Sequence, residues 1–326
     1  MKKIRIGVLG YASIAQKAII PAIQALSDYY EFVGIATRTI EKAEEINSKF
    51  QGKAFSSYSQ IITKNRIDAL YIPLPNALHY EWVKFGLENG IHILVEKSLA
   101  CNYNEVKELN EIADTNHLAL IENFQFRFHE QFNFIKKHLK KGTLGEIRVI
   151  RSSFGFPPFP DATNIRYQKE LGGGALLDAG AYPIKLALLL LGYDVKVVSA
   201  ISVIPSRYKV DIWGGGTIKQ KEGDGFLQMS FGFDNFYQCN LEILGSKGKL
   251  STNRIFTAPP AYSPEVIIET EQGLQKIAIE PDNHYQKMLK HFYDCIQSHE
   301  LRVEEYQQNI HQSRLIEEFK KIANEE

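Results

Sequence analysis

Small residues near the start of the chain have the type and spacing that phosphate binding requires. The segment Gly10–Ala15 reads G-x-A-x-x-A and follows a short apolar run, Ile4–Leu9. At a strand-to-helix junction a tight turn lets the backbone approach a pyrophosphate, and the helix N-terminus offers N–H groups to it. Because alanines replace two of the three glycines of the usual pattern, an ordinary strand–helix turn is the alternative. The pattern predicts that a nicotinamide dinucleotide contacts Gly10, Ala12, Ser13 and Ile14.

The next informative residues lie at the end of the second predicted strand. A site that prefers NAD places Asp or Glu about 20 residues beyond the glycine loop, where the carboxylate bonds the ribose 2′-OH. The segment Ile35–Thr39 has no acid at this position, whereas Thr37 offers a hydroxyl and Arg38 a guanidinium. Both groups suit a 2′-phosphate, and the guanidinium forms a charged pair with it. We therefore expect NADP(H) as the cofactor; the alternative is that Arg38 is a solvated surface charge.

Glu96 and Lys97 follow the apolar strand predicted at His92–Val95. Ligands of open α/β sheets bind outside the carboxyl ends of the strands, which places Lys97 close to a substrate. A carbonyl that accepts a hydride develops negative charge on its oxygen, and a nearby cation stabilises that charge. Glu96 is expected to anchor the cofactor side or the Lys97 loop rather than to act as an acid. A solvated surface pair of Glu and Lys is the alternative.

Strands and helices alternate through about residue 122, which predicts the framework for these residues. The predicted strands are Ile4–Leu9, Phe32–Ala36, Ala69–Ile72, His92–Val95 and Leu118–Ile121. The predicted helices are 13–26, 40–50, 80–88 and 105–116. Parallel strands need crossover helices between them, so the alternation predicts an α/β, doubly wound parallel sheet. We assign residues 1–122 to a Rossmann dinucleotide-binding domain.

After residue 122 several strands follow one another without intervening helices. The predicted strands are 147–156, 195–203, 225–233, 236–243, 266–270 and 275–279, and the predicted helices are 130–141, 176–191, 284–298 and 306–324. This pattern predicts an α+β domain over residues 123–326 with an open-faced, mostly antiparallel sheet, which binds the substrate. An exposed sheet face can take a ligand or a second subunit, so we expect a homo-oligomer, a dimer or a tetramer.

Composition and charge exclude several classes of partner. Lys plus Arg and Asp plus Glu both number 38, and this balance gives no reason to expect nucleic acid or an anionic membrane. No apolar run approaches the ~20 residues that span a bilayer. The three cysteines lie far apart without metal-ligand spacing, so we expect no metal site and no disulfide framework. Free thiols suit a reducing cytoplasm.

Several segments, in the same order and at similar spacing, resemble the glucose-fructose oxidoreductase/inositol dehydrogenase (Gfo/Idh/MocA) family. Glu96–Ser98 resembles the family's E-K-P signature, with serine in place of a proline that is often cis, so the sequence leaves the geometry of this bond open. The other matching segments are Gly10–Ala15, Pro73–Asn76 with His79, Glu122–Phe124, Gly145–Ile147 and Gly172–Asp178. The resemblance covers nearly the whole chain and implies an NAD(P)-dependent oxidoreductase.

The segment Asp178–Pro183 narrows the resemblance. Many family members have D-x-G-x-H here, with the histidine as general acid/base, whereas Tyr182 occupies that position. Together with Asn164–Tyr167 and Phe154–Pro158, this is similar to the nucleotide-sugar 3-ketoreductases, which reduce a 3-keto-deoxysugar attached to a nucleoside diphosphate. A free tyrosine has a pKa of ~10, and a nearby ammonium lowers it. The resemblance implies that Tyr182 donates a proton to the substrate oxygen while Lys97 stabilises the developing charge.

The resemblance also implies the remaining contacts. The implied cofactor-binding residues are Tyr58, Leu74, Asn76, His79, Glu96, Lys97, Asn123 and Arg166, and the implied substrate-binding residues are Lys97, Phe156, Asp178 and Tyr182. Asp178 either bonds a sugar hydroxyl or supports a helix start, and His79 either borders the cofactor or is a helix-surface histidine. Two alternatives in function stay open: a family oxidoreductase acting on a free sugar, polyol or trans-dihydrodiol, and a non-catalytic NAD(P)-sensing regulator.

Overall fold

The computed structural model describes residues 2–63 and 66–324. The chain divides into two compact units: the first combines Met1–Asn123 with Tyr285–Ile310, and the second combines Phe124–His284 with His311–Glu326. The division near residue 123 lies close to the predicted boundary. The assignment of 285–310 to the first unit differs from the prediction, which placed all of 123–326 in one domain.

The first unit is built on a six-stranded sheet in which every neighbouring pair is parallel. Its strands are β1 (Ile4–Leu9), β2 (Tyr30–Ala36), β3 (Lys53–Phe55), β4 (Ala69–Ile72), β5 (His92–Glu96) and β6 (Leu120–Asn123). The order across the sheet is β3-β2-β1-β4-β5-β6, which confirms the expected doubly wound topology. The strand order reverses between β1 and β4, and such a reversal is where ligands of open α/β sheets bind.

In the described part of the chain, the helices that alternate with these strands are α1 (Ile20–Ala25), α2 (Ala43–Phe50), α3 (Tyr58–Ile61), α4 (His79–Glu88) and α5 (Tyr103–Thr115). A π-helical turn at Ala15–Ile19 leads into α1, so the helical stretch predicted after the glycine loop is present. All four residues of β4 are buried, as expected for a parallel strand covered on both faces. The sequence missed β3 and α3 because elements of three and four residues show no periodicity.

The second unit contains an eight-stranded sheet with the order β14-β13-β12-β11-β7-β10-β9-β8. Its strands are β7 (Ile147–Gly155), β8 (Val195–Val203), β9 (Trp213–Gln220), β10 (Phe226–Gly232), β11 (Gln238–Gly245), β12 (Gly248–Asn253), β13 (Glu265–Thr270) and β14 (Gly273–Ala278). Strands β7 and β10 pair in parallel and the other neighbours are antiparallel, which confirms the expected mostly antiparallel sheet.

Strand β9 was not predicted because its sequence begins Trp-Gly-Gly-Gly, which is typical of a loop. A Cβ atom added to Gly214 would lie 2.3 Å from the carbonyl oxygen of Ile201, and one added to Gly215 would lie 2.6 Å from that of Met229. These glycines therefore let β9 fit closely between β8 and β10. Strand β12 was also missed, because its sequence Gly-Lys-Leu-Ser-Thr-Asn has only one aliphatic side chain.

Helices α6 (Glu130–Lys140) and α7 (Ala181–Leu191) belong to the second unit, and a π-helical turn at Leu176–Gly180 precedes α7. Residues 169–191 are long and apolar enough to cross a membrane by length and composition alone. The segment is not an uninterrupted apolar run, because it contains Lys169, Glu170, Asp178 and Lys185. In the structure 83% of its most apolar window is buried inside the protein, as in a core helix.

The two last helices, α8 (His284–Gln297) and α9 (His299–Asn324), complete the first unit through residue 310. The hydroxyl of Tyr30 donates to the carbonyl oxygen of Leu289 at 2.6 Å, and that of Tyr306 donates to the carbonyl oxygen of Leu118. The amide of Asn309 donates to Asn110 Oδ1 at 3.1 Å. These bonds join 285–310 to the first unit, because Tyr306 and Asn309 donate to residues 1–123 and Tyr30 donates to a carbonyl oxygen of 285–310.

Candidate active site

The loop after β1 has the backbone geometry of a phosphate cradle. Gly10 has φ +112°, a value that favours glycine, and its N–H donates to the carbonyl oxygen of Ala36 at 2.8 Å. A Cβ atom at Gly10 would lie 2.9 Å from Leu74 Cδ2, so Leu74 closes over the turn. Ala12 and Ile14 are half-buried and Ser13 is exposed at the start of the helical stretch. The turn therefore has a conformation and a packing that require glycine at position 10.

The end of β2 presents one exposed cation. Thr37 is 4% exposed, and its hydroxyl oxygen accepts from the backbone N–H of Thr39 at 3.3 Å. Arg38 is exposed. The guanidinium is therefore the accessible group of the predicted pair, whereas the hydroxyl of Thr37 is turned into the fold. Tyr58, which begins α3 after β3, is half-buried with its ring edge-on to Trp82 at 5.1 Å.

His79 lies inside the first unit rather than on a helix surface. It is completely buried, with Nδ1 2.6 Å from the carbonyl oxygen of Ser98 and Nε2 2.8 Å from that of Leu74. Burial lowers the pKa of His79 to about 4, although the two carbonyl oxygens favour the protonated ring. The imidazole joins the loops after β4 and β5. Its part in the predicted cofactor site is thus to hold Leu74 and Ser98 in place.

Glu96 is fixed at the carboxyl ends of three neighbouring strands. Its Oε1 accepts from the hydroxyl of Tyr71 at 2.7 Å and from the side-chain amide of Asn123 at 2.8 Å. Burial raises the pKa of the Glu96 carboxyl, and these two donors and the charge of Lys97 oppose the rise. Because both contacts at Oε1 are made by protein groups, Glu96 supports the strand ends and the segment that carries Lys97.

Lys97 is half-buried at the end of β5, and the Lys97–Ser98 peptide bond is cis. The serine therefore keeps the bond geometry that a proline often has at this position of the family signature. The N–H of Ser98 donates to Asn76 Oδ1 at 3.2 Å, so the loop after β4 also holds this segment. Every residue predicted to bind the cofactor in the first unit lies at, or in the loop or first helical turn after, the carboxyl end of a parallel strand.

In the second unit Tyr182 lies in an enclosure of phenylalanine rings. It is 6% exposed and stands one residue after the start of α7. The rings around it are Phe124 at 5.3 Å, Phe126 at 6.0 Å, Phe154 at 4.9 Å and Phe256 at 5.4 Å between centroids. These contacts fix the position of the Tyr182 ring among aromatic side chains.

Arg166 and Asp178 were predicted to contact different ligands, and the structure pairs them with each other. Arg166 Nε donates to Asp178 Oδ2 at 2.5 Å, and the side chains are 35% and 15% exposed. The guanidinium also lies 4.8 Å from the ring centroid of Phe159. Asp178 precedes Tyr182 by about one helical turn, so the pair fixes a carboxylate near the start of α7. Phe156 is half-buried and stacks on Phe233 at 5.2 Å.

Three positioning residues were not among the predicted site residues. Tyr71 holds Glu96, and its signal is a phenol within an otherwise aliphatic strand. Glu122 is 3% exposed and accepts from the N–H of Leu99 at 2.9 Å. Gln312 donates to the carbonyl oxygen of Ala181 at 2.8 Å and so fixes the residue before Tyr182. Nothing in the sequence connects Gln312 with α7, because the two are far apart along the chain.

Among the residues that the structure describes, one group has atoms suited to hold a metal ion: His291, Cys295 and Glu305 on α8 and α9. His291 Nε2 lies 2.8 Å from Glu305 Oε1 and 3.4 Å from Cys295 Sγ. The sequence analysis had expected no metal site. A histidine–carboxylate hydrogen bond accounts for the closest of these contacts without an ion.

The fold and these residues define an oxidoreductase of the Rossmann class with a separate second domain. The family described as "Oxidoreductase family, NAD-binding Rossmann fold" matches residues 4–124, and "GFO/IDH/MocA C-terminal domain" matches residues 132–251. The chain belongs to the Gfo/Idh/MocA family, as the sequence resemblance predicted.

Individual relatives are similar over nearly the whole chain. The dTDP-3,4-didehydro-2,6-dideoxy-alpha-D-glucose 3-reductase of Actinomadura kijaniata is 35% identical over 314 residues, covering 96% of this chain and 94% of the relative. The D-xylose 1-dehydrogenase (NADP(+)) 2 of Haloferax volcanii is 28% identical, covering 90% and 89%. A 3-ketoreductase from Actinomadura kijaniata, solved with NADP and TDP-benzene, has a TM-score of 0.93 at 34% identity, with 98% of each chain covered.

Proposed function

We propose that this protein is an NADPH-dependent reductase of a 3-keto-deoxysugar linked to a nucleoside diphosphate. The observation that carries the proposal is the 35% identity with a dTDP-sugar 3-reductase over 96% of the chain. That similarity extends through the second unit, which holds Phe156, Asp178 and Tyr182, three of the four residues proposed to contact the substrate. The particular nucleotide, sugar and product epimer are left to experiment.

The residues of the first unit fit NADP(H). The φ of Gly10 and the close approach of Leu74 leave no room for a Cβ where the backbone would face the pyrophosphate. Arg38 is exposed at the end of β2, where the adenosine ribose of a Rossmann site binds, and no acid stands there to select a free 2′-OH. We propose that the backbone of Ala12, Ser13 and Ile14 binds the pyrophosphate and that Arg38 binds the 2′-phosphate.

The proton chemistry is assigned to Tyr182 and the stabilisation of charge to Lys97. When bound, the reduced nicotinamide supplies the hydride. The phenol of Tyr182 donates its proton to the substrate oxygen, which becomes a hydroxyl, and the tyrosinate is reprotonated from solvent. The ammonium of Lys97 stabilises the negative charge that develops on the same oxygen. Asp178, fixed by Arg166, accepts a hydrogen bond from a sugar hydroxyl.

Structures of the similar 3-ketoreductase support this assignment. They include one variant in which a lysine is replaced by alanine and one in which a tyrosine is replaced by phenylalanine, both with TDP-benzene and NADP. The replaced lysine and tyrosine are separated there by one residue fewer than Lys97 and Tyr182 are in this chain. The same two residue types therefore stand at nearly the same spacing in the two proteins.

A turnover assay tests the function. Oxidation of NADPH is followed with a dTDP-linked 3-keto-deoxysugar and with the same sugar lacking the nucleotide. Reduction of NADP⁺ is followed with D-xylose and with a trans-dihydrodiol. We expect turnover with the dTDP-linked substrate, and calorimetry should detect binding of dTDP. Turnover of the free sugar, xylose or dihydrodiol at equal kcat/KM, without dTDP binding, would assign the other oxidoreductase activity. NADPH binding without any turnover would favour a regulator.

We further propose a homo-oligomer that functions in the cytoplasm. Exposed apolar side chains on and beside β8 support the first point, with Val198 46%, Ile201 58% and Ile204 55% exposed. The three free cysteines support the second, because a reducing compartment keeps thiols free. Light scattering of the purified protein gives the number of subunits, and a monomer at micromolar concentration would refute the first point.

A further inference from the structure

A lysine lies buried in the core of the second unit one helical turn after Tyr182. Lys185 is 1% exposed, on the same helix α7. Its Nζ lies 5.3 Å from the centroid of the Phe124 ring, and that ring meets the ring of Tyr182 edge-on, also at 5.3 Å. Residues three apart on a helix lie on the same side of it. Tyr182 and Lys185 therefore share one aromatic wall.

The burial of this lysine calls for an explanation, because burial disfavours the ammonium unless other groups compensate. Contact with an aromatic face is one such compensation, since the ring quadrupole attracts a cation. Every other residue of α7 except Tyr182 is apolar: its sequence is Ala-Tyr-Pro-Ile-Lys-Leu-Ala-Leu-Leu-Leu-Leu. A packing role would be served as well by Leu or Met, so the charge is the feature that calls for a function.

The phenol of Tyr182 supplies that function. In an enclosure of phenylalanine rings, desolvation disfavours the tyrosinate that proton donation leaves behind. A cation in the same low-dielectric surrounding favours the tyrosinate, and its effect is larger there than in water. We propose that Lys185 is a positioning residue whose buried charge stabilises the tyrosinate form of Tyr182 and thereby makes the tyrosine an effective proton donor. The inference rests on the proposed function for its catalytic meaning, but not for the interaction itself.

Other charges on the elements around Tyr182 are engaged differently. Asp178, on the same helical stretch, is paired with Arg166. Next to Phe126, Arg127 places its guanidinium over the ring of Phe128 at 4.6 Å. Beyond Phe256, the guanidinium of Arg254 lies over the Tyr237 ring at 4.7 Å. On β7, beside Phe154, Arg151 pairs with Glu242 on the exposed face of the sheet. Lys185 differs from these charged residues, because its ammonium contacts the ring of Phe124 and that ring contacts Tyr182.

The first measurement is the titration of the Tyr182 phenol in the full-length protein with NADP⁺ bound. Carbon-13 at the tyrosine Cζ reports each phenol by NMR, and Tyr182→Phe assigns the signal among the 16 tyrosines. We expect Tyr182 to titrate below the ordinary value of ~10 in the wild type. In Lys185→Met we expect its titration to move upward by about one pH unit or more, and in Lys185→Arg to return towards the wild type.

Matched variants keep this test decisive. Lys196→Met removes an exposed lysine from β8, where solvent and salt screen the charge, and should leave the Tyr182 titration within ~0.2 pH units. Lys185→Gln provides a second neutral variant if Lys185→Met does not fold. A Tyr182 titration that is the same in wild type, Lys185→Met and Lys185→Gln overturns the inference.

The pH dependence of the reduction rate tests whether Lys185 affects proton donation during catalysis. Tyr182 must be protonated to donate, so reduction is lost as pH rises through the pKa of the phenol. Removing the charge of Lys185 should move this alkaline limb upward by about one pH unit and lower the plateau rate, since a weaker acid donates less readily. A purely structural lysine would lower the rate without moving the limb, which would count against the inference. Failure of the proposed substrate is distinguishable, because the NMR titration needs no turnover.

Discussion

The proposed mechanism relies on one buried acid, Tyr182, and on two cations, the exposed Arg38 and the half-buried Lys97. Tyr182 is enclosed by aromatic rings, so the reactivity of its phenol depends on a few neighbouring charges rather than on solvent. Arg38 is exposed, and the phosphate proposed to bind there would order its side chain. Substitution at the first should therefore change the rate, and substitution at the second should change affinity.

Tyr182→Phe should reduce kcat for the keto-sugar by about 100- to 10,000-fold, the usual contribution of a positioned proton donor. The Kd for NADPH should stay the same, because the predicted cofactor contacts lie almost wholly in the first unit. The kcat is measured from NADPH absorbance, and the Kd for NADPH is measured from quenching of protein fluorescence. Tyr208→Phe, at a tyrosine stacked on Tyr167 at 5.0 Å, serves as the matched control. A kcat at the wild-type level would remove Tyr182 from the mechanism.

Arg38→Ala should weaken NADPH binding by about 1.5–3 kcal/mol, or roughly 10- to 150-fold in Kd, because a charge-assisted bond to the 2′-phosphate is lost. NADH lacks that phosphate, so its Kd should stay within about twofold. Calorimetry with both dinucleotides measures the difference. Arg148→Ala, which removes another exposed arginine, is the control and should affect neither. Equal loss of affinity for NADH and NADPH would show that Arg38 stacks on the adenine instead.

At the scale of elements, loops joined to each other by buried contacts form the carboxyl edge of the parallel sheet. His79 bonds the loops after β4 and β5, and Leu74 packs against the turn after β1. At Gly10, both the backbone conformation and the packing of Leu74 consequently require a residue without a side chain. A substitution there tests the cradle without touching any group that carries charge.

In Gly10→Ala, the loss of binding free energy for NADPH should exceed the loss of folding free energy. The variant forces a side chain into φ +112° and against Leu74 Cδ2 at 2.9 Å, so the loop shifts from the phosphate position. Gly273→Ala is a close match: its φ is +116° and nothing lies within 4 Å of the added Cβ. Both should lose about 1–3 kcal/mol of folding free energy to backbone strain, measured by urea unfolding. Equal Kd values for NADPH in the two variants would contradict the cradle.

Across the whole molecule, patterns that repeat locally were predictable and pairings distant in sequence were not. The alternation of short apolar runs and helices predicted the first sheet, with β1 and β4 placed to the residue. The bond of Tyr71 with Glu96 and the return of 285–310 were not predictable, since a phenol in an aliphatic strand does not identify its partner and 285–310 carries no periodic signal for its position. Likewise the role proposed for Tyr182 rests on resemblance, because a tyrosine before a proline at a helix start has many packing uses.

The most distant of these pairings gives a test of how the first unit is assembled. Asn309 is 1% exposed, and its amide donates to Asn110 Oδ1 at 3.1 Å and to the carbonyl oxygen of Leu120, in β6, at 3.2 Å. Asn309→Ala leaves these acceptors buried without that donor, which costs about 1–3 kcal/mol.

The melting temperature of Asn309→Ala should fall by roughly 2–4 °C per kcal/mol, the scaling for domains of 150–250 residues. Hydrogen exchange in β6 should become faster in the same variant, because its neighbour on α9 no longer holds the strand. The control is Asn116→Ala, which removes an exposed amide that bonds the carbonyl oxygen of Ile112 at 2.9 Å within one helix. If 285–310 were only an addition to the surface, the two variants would melt alike and β6 would keep its protection.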